Sequence, residues 1–484
     1  MRMAIALALA LSGCSGPPAA PPGRWVEIPA DELEDRVRGG MLAQFLGNLN
    51  GLPHEMKYIH DPGQVERYVP ALPDGAWTDD DTDLEWVYIS EMARTGEALL
   101  PPERIAELWT RSINRRIWCA NLYARQLMDV GVRPPVTGLI AVNPWSVFNI
   151  SGQFICESFG LAAPGLPRTA SEIGLHYTRV TIDGEPAQTT QLFCTMIASA
   201  FVETDLDRLL DLGLAAVDPE SQTAQVVRDV RAWHRAHPED WRAARLETKK
   251  KYQRHNGEMR DRNGYELNTA GTIAALLYGK GDLVETLRIA FNFGWDCDNN
   301  AASAAVIVGV QKGRKCMDAQ GWTVKDVYRN TCRDGMPKDE TITGFTDKVW
   351  TVARSVLRSR GAVEVERAGR KLWRVPVETP APVQLLPRPL DRRDEVRALL
   401  LPEIESGLRG GPADRARAAY YALALGDWTR LAKERPEDWA AGVAALKTFP
   451  SLVREIHNAP SPSGDAIKAA ARAAGIEKPP ASAK

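Results

Sequence analysis

The sequence predicts an all-α fold, and three observations carry that prediction. Apolar residues recur at helical spacing, as Leu33, Val37, Met41, Phe45 and Leu46 do. Alternating patterns of the strand type are few. The run Ala301 to Val310 (AASAAVIVGV) has the small side chains of a helix packed tightly against neighbours. A length of 484 residues suits one large domain with appendages, or two domains. A composition of 44% hydrophobic and 25% charged residues is ordinary for a globular protein. The net charge of −2 gives no electrostatic case for a nucleic-acid partner. Seven cysteines without CxxC spacing indicate neither a zinc site nor a disulfide framework.

The N-terminus reads as a targeting segment. Arg2 precedes an apolar stretch, Met3 to Leu11, that is too short to span a bilayer. Leu11-Ser12-Gly13-Cys14 resembles a bacterial lipoprotein signal, which makes residues 1–13 a signal peptide and Cys14 the lipidated residue. An ordinary secretory signal, or an uncleaved start, is the other reading. Residues 14–30 follow as a Pro/Ala/Gly tether. The expected location is the bacterial cell envelope, periplasmic or surface-exposed, with membrane attachment through lipid alone.

A helix is predicted over Asp31 to Leu52, with Asp31 able to cap it. Its second half, Gly39 to Gly51, is rich in glycine, which costs helix stability and points to close backbone approach. Glu55 follows the helix end and, by itself, reads as a solvated loop acid. The stretch Thr78-Asp79-Asp80-Asp81-Thr82-Asp83 then opens a helix with Leu84, Val87, Tyr88 and Met92 on one stripe. A helix dipole favours one or two acids in its first turn, so further ones repel unless a cation sits among them.

Pro101 to Val130 reads as helices. Pro144 to Gly165 is punctuated by glycine and proline, and Asn149, Ser151, Gly152 and Gln153 lie within it. It serves equally as a substrate-lining loop or a connector. Helices resume at Thr169 to Val180, carrying His176, and at Gln188 to Phe201. Leu206 to Arg245 is helical, Lys249 to Arg262 a polar basic loop, and Asn268 to Tyr278 small and apolar. A helix over Leu283 to Asn292 leads into Gly294-Trp295-Asp296-Cys297-Asp298-Asn299, two carboxylates just after a glycine. Capping of the next helix and cation binding both suit such a pair. Residues 375–390 are proline-rich and read as a linker, 391–476 as a small helical region, and 477–484 as a disordered tail.

Glu55, the Asp79–Asp81 tract and Asp296/Asp298 together suggest oxygen ligands for hard divalent cations. Their order resembles the ADP-ribosylglycohydrolase family. The matching elements are Gly47-Asn48-Leu49-Asn50-Gly51 with Glu55, then Thr78-Asp79-Asp80-Asp81-Thr82, then Gly294-Trp295-Asp296-Cys297-Asp298-Asn299. The resemblance implies a compact orthogonal helical bundle over 31–374, with the small C-terminal helical extension outside it. It implies two Mg2+ or Mn2+ ions on ligands drawn from Thr78, Asp79, Asp80, Asp81, Asp296, Asp298 and Asn299. Asp80 belongs to both possible registers of the tract. It implies Glu55 as the acid that handles the nucleophilic water, and Asn48, Ser151, Gly152, Gln153 and His176 at substrate-touching positions. The implied activity is hydrolysis of an ADP-ribosyl, ribosyl or related C1-linked glycosidic bond in a small glycoside or nucleotide-sugar. Asn48 stands where the family has an Asp, and Asn299 where it has a Thr. A catalytically degenerate sugar- or nucleotide-binding lipoprotein is the alternative.

Overall fold

The computed structural model describes residues 24–480, and helices dominate it, as predicted. Cys14, the signal peptide, the first part of the tether and residues 481–484 lie outside the described residues. The helices that frame the site are α1 (Ala30–Gly51), α2 (Asp80–Thr95), α3 (Cys119–Asp129), α4 (Glu185–Ser199), α5 (Tyr265–Gly279), α6 (Cys297–Lys312), α7 (Ile342–Ser359) and α8 (Pro450–Asn458). No helix among the described residues is long and apolar enough to cross a membrane.

The core is organised around α1 and α6, which lie against each other in opposite directions. A Cβ on Gly39 would sit 2.4 Å from the Gly309 carbonyl oxygen. One on Gly47 would sit 2.6 Å from the Ala301 carbonyl carbon, and one on Gly51 2.4 Å from the Asp298 Cα. The glycines that weaken α1 as an isolated helix are therefore the ones that let two backbones touch. α6 and α1 from Gly39 onward are buried almost throughout, while the first turns of α1 keep Glu32, Glu34, Arg36 and Arg38 partly exposed. Tertiary packing, rather than amphipathic patterning, stabilises them.

Two small sheets complete the fold. The strands β1 (Arg24–Pro29), β2 (Ala76–Trp77), β3 (Tyr328–Arg329), β4 (Asp339–Glu340), β5 (Val363–Arg367) and β6 (Arg370–Val377) form them. One sheet is antiparallel, in the order β1-β6-β5. In the other, β2 pairs parallel to β3, and β3 antiparallel to β4. β1 corrects the tether assignment: Trp25 faces Pro376 and Ile28 faces Trp373 across the ladder, so 24–29 is part of the fold. The chain reaches its partner strand only after more than 300 residues, which no local pattern announces.

The proline-rich segment also differs from a free linker. Val375 to Val377 belong to β6. Beyond them, Val383 N and Gln384 N donate to Gln191 Oε1 at 2.7 and 2.9 Å, and Leu386 N donates to Asp218 Oδ2 at 3.0 Å. Prolines leave few N–H groups in the segment, and the main body meets these three. The helices after it also rest on the main body. Ser463 Oγ donates to the Pro144 carbonyl at 2.7 Å, and Arg417 Nη1 to the Val130 carbonyl at 2.9 Å. The Tyr420 hydroxyl bonds the Val142 carbonyl, and α8 packs on α3.

Two carboxyls are enclosed in this core. Glu85 accepts hydrogen bonds from Gln44 Nε2 at 2.9 Å and Ser158 Oγ at 2.7 Å. Burial pushes it up to about 7 despite those bonds. Glu157, equally buried, is pushed well above the carboxylate range, by burial first and then by Glu85. The folded chain thus holds a proton on Glu85 more tightly than the unfolded chain, where an ordinary Glu titrates near 4.3. The resulting stability is fully present below about pH 4.3 and lost as pH rises through 7. Glu85→Gln removes that loss. In denaturation at pH 5 and pH 8, the variant is expected to gain on the wild type at pH 8, by up to about 3 kcal/mol.

Candidate metal centre

The close approach of Gly51 to Asp298 fixes where Glu55 goes. α1 ends there, and a short 3-10 turn, Leu52–His54, turns the chain outward. Met56 N then donates to the Trp295 carbonyl at 2.9 Å, which latches this loop to the turn before α6. That turn needs unusual backbone: Gly294 has φ +86° and Trp295 φ +57°. A Cβ on Gly294 would lie 2.2 Å from the Tyr58 carbonyl oxygen, so only glycine fits. Buried Arg245 clamps the same region. Its guanidinium lies 3.4 Å from the Trp295 ring centroid and donates to the Tyr58 and Ile59 carbonyls at 3.1 and 3.2 Å. Burial lowers Arg245 to about 9.

The result is two groups of three carboxylates. Oxygens of Glu55, Asp296 and Asp298 lie within 4.8 Å of one another. So do oxygens of Asp79, Asp81 and Asp298, which makes Asp298 common to both. Asp81, Asp296 and Asp298 are buried, while Glu55 is exposed at the mouth. Asp79 and Asp296 occupy the N-cap positions of α2 and α6, yet neither side chain makes a cap hydrogen bond. Their carboxylates turn toward the cluster instead.

Such crowding is costly. Asp81 and Asp298 are both pushed well above the usual carboxylate range, by burial first and then by neighbouring carboxylates. Asp296 is raised by burial, then by Glu55 and Asp80. Glu55 is open to solvent as a residue, but the surroundings of its carboxyl and the Asp79 charge raise it too. Asp298 Oδ1 is buried and has no hydrogen-bond partner. An all-oxygen donor set with such an oxygen fits a hard divalent cation.

Asn48 is fully buried among these acids. Its Nδ2 donates to Asp79 at 2.9 Å, to Asp81 at 3.0 Å, and reaches Asp298 at 3.5 Å. A neutral donor here relieves repulsion that an acid would add to. Asn48→Asp is therefore expected to lower the thermal midpoint in chelator. It should also widen the gap between chelated and Mn2+-loaded protein, read by thermal unfolding and calorimetric titration.

The remaining predicted residues fall into three sets. Asp80 lies near the cluster, where its charge acts on Asp296 and Asp81, but in neither three-carboxylate group. Gln153 and Asn299 stand beside the cluster: Gln153 Nε2 donates to Asn299 Oδ1 at 2.6 Å, so that oxygen already has a partner. The others point elsewhere. The Thr78 hydroxyl is 2.8 Å from that of Thr331. The Ser151 hydroxyl is engaged by Asn121 and Asn149. Gly152 is pressed against α4, where a Cβ would lie 2.1 Å from the Pro186 carbonyl oxygen. His176 bonds the Leu100 carbonyl at 2.7 Å and meets the edge of Tyr177, with no bond to the cluster.

Three contributors escape sequence reasoning. Asn263 Nδ2 donates to Asp296 Oδ2 at 2.7 Å, and its Oδ1 accepts from Asn149 at 2.6 Å. Asn268 Oδ1 receives the backbone N–H of Asp296 at 3.1 Å. Arg333 pairs with Asp83 at 2.8 Å, both side chains fully buried. Asn263 ends a stretch whose charge reads as solvated surface, and Arg333 sits among loop residues, so neither carries a local signal.

Comparison with known proteins adds three findings. The model of one protein family, described as ADP-ribosylglycohydrolase, matches residues 29–356, more than half of the chain. None of the curated proteins compared with the chain matches it. One solved structure, an "ADP-ribosylglycohydrolase-related protein complex", aligns over 67% of this chain and 99% of its own at 16% identity, with a TM-score of 0.40.

Proposed function

The chain belongs to the ADP-ribosylglycohydrolase family, and on that premise we propose that it hydrolyses a C1-linked glycosidic bond of an ADP-ribosyl, ribosyl or related group with the help of divalent cations. Family membership supports a glycohydrolase-type function in general. The observation that carries the finer reading is the pair of three-carboxylate groups sharing Asp298, with Glu55 at the open edge. Asp79, Asp81 and Asp298 would hold one Mg2+ or Mn2+ ion, and Asp296, Asp298 and Glu55 would face a second. Ions held there would supply a means of orienting sugar hydroxyls and offsetting charge.

Glu55 takes the working role in this reading. Its carboxylate accepts a proton from water as that water's oxygen bonds the anomeric carbon, and the proton passes on to the departing group. Its place at the open edge, beside Asp296 and Asp298, suits both halves of that exchange. Asn263 and Asn268 hold the Asp296 turn in place from the far side.

Leu11 to Cys14 supports a lipid anchor on the bacterial envelope. There the substrate would be a glycoside, nucleoside or nucleotide-sugar from outside the cytoplasm. The test is release of free sugar from ADP-ribosyl, nucleoside and aryl-glycoside substrates, with Mg2+ or Mn2+ and with chelator. Turnover is expected with metal only, falling at least about 100-fold in Glu55→Gln while the variant keeps its fold. Turnover that persists in chelator overturns the metal-dependent reading. Ligand binding without turnover in the wild type overturns it in favour of a binding protein.

A further inference from the structure

One face of the β1-β6-β5 sheet gathers exposed apolar and cationic side chains close to where the N-terminal tether joins the fold. Residues directly opposite one another on paired strands share a face, as do residues two apart on one strand. Trp25 lies opposite Pro376 and Glu27 opposite Arg374, while Val363 of β5 lies opposite Arg374 from the other side. Trp25, Arg374 and Val363 therefore stand on one face, across all three strands. The reverse face carries Ile28, Trp373 and Val375, all buried, and Trp373 meets Trp350 of α7 there.

The outer face is open. Trp25 is 44% exposed and Val363 47%. Val365 and Leu372, opposite each other on the same face, are part-exposed. The guanidinium of Arg374 lies over the Trp25 ring at 4.7 Å, which holds a cation and an indole side by side. Of the arginines on this face, Arg367 pairs with Glu27 at 2.7 Å and Arg370 with Asp31 at 3.7 Å. Arg374 forms no ion pair among the described residues, so its charge is free for an anion from outside.

The place of this face in the chain points to its occupant. Arg24, the first residue of β1, follows Cys14 by ten residues, and a chain of that length reaches at most about 35 Å. No charged side chain lies between them. An acyl anchor on Cys14 would keep the sheet within that distance of a bilayer, at a high effective concentration. Indoles settle at the level of lipid headgroups, and guanidinium groups bond phosphates.

We propose that the outer face of the β1-β6-β5 sheet is a membrane-docking surface for anionic phospholipid headgroups, with Trp25 seated among the headgroups and Arg374 on their phosphates. This rests on the lipid-anchor reading above and is separate from the glycosidic one. The carboxylate centre lies at the other end of α1, a helix of 22 residues and so about 30 Å long, and docking of the sheet leaves its mouth uncovered.

The test uses the chain from Ser15 onward, which keeps every described residue and lacks the acylated cysteine. It is floated with vesicles of phosphatidylcholine alone, and of phosphatidylcholine and phosphatidylglycerol in equal parts. Binding is expected to the mixed vesicles, and it should fall with added salt. Trp25→Ala and Arg374→Gln should each weaken it about fivefold or more. Val363→Glu removes nothing buried and sets a carboxylate opposite Arg374, so it should remove most of the binding. Circular dichroism on the same preparations checks that the variants are folded. Failure to bind the mixed vesicles overturns the docking surface, as does wild-type binding by folded Val363→Glu. A dimer seen by light scattering in the wild type and lost in Val363→Glu overturns it in favour of a second copy on this face. Palmitate labelling of the full chain against Cys14→Ala tests the anchor by itself: a labelled chain whose Ser15 form ignores vesicles sinks the surface alone, and an unlabelled chain whose Ser15 form binds them sinks the anchor alone.

Discussion

Asp298→Asn is expected to abolish divalent-cation binding at both carboxylate groups in a single substitution. Asp298 is the one acid common to the two groups, and its Oδ1 has no other partner. Loss of outer supports around a metal typically costs 10–100-fold in affinity, so loss of a shared carboxylate should exceed about 100-fold. Asp296→Asn and Asp79→Asn touch one group each and should lower the number of Mn2+ ions bound from two to one. A second readout does not depend on activity. Asp298 is held well above the usual carboxylate range by burial, Asp296 and Glu55. Replacing it with a neutral amide relieves that repulsion. The variant should unfold at a higher temperature than wild type in chelator and gain nothing from added Mn2+. Wild-type stabilisation by Mn2+ in the variant would sink the assignment.

Arg333→Met should be the most destabilising single change around the site. It strands Asp83 as a fully buried carboxylate without its counter-ion, a loss of about 3–5 kcal/mol. The Arg115 and Arg116 carbonyls lose a donor in the same stroke. Denaturant unfolding measures the loss. The double variant Asp83→Leu/Arg333→Met separates charge burial from packing: apolar replacement of both partners should recover much of the stability. A double variant as unstable as Arg333→Met would show that the carbonyl bonds, not the ion pair, carry the energy.

The acids of the centre were legible because their pattern is locally improbable. Four Asp in five residues at a helix start exceed what a dipole rewards, and capping does not explain them: Asp79 and Asp296 sit at N-cap positions without a side-chain cap bond. The glycines of α1 were legible as close approach, though not what they approach. Gly51 meets Asp298 across nearly 250 residues, and that contact brings Glu55 to the cluster. The positions around Ser151 and His176 were less legible. His176 is spent on the Leu100 carbonyl, and Ser151 on Asn121 and Asn149, bonds that depend on which helix passes nearby.

By itself, the sequence determined a helical protein with three acidic elements and the family to which they belong. Periodicity, glycine spacing and charge density are local properties that survive in one dimension. Only the tertiary structure decided the sharing of Asp298 between two groups and the seating of Asn48 amid three acids. It also decided the burial of Arg333 against Asp83 and the stitching of 24–29 and 375–386 into the fold. These are partnerships between residues tens to hundreds of positions apart. Their energies come from burial and distance, quantities that exist only once the chain has closed on itself.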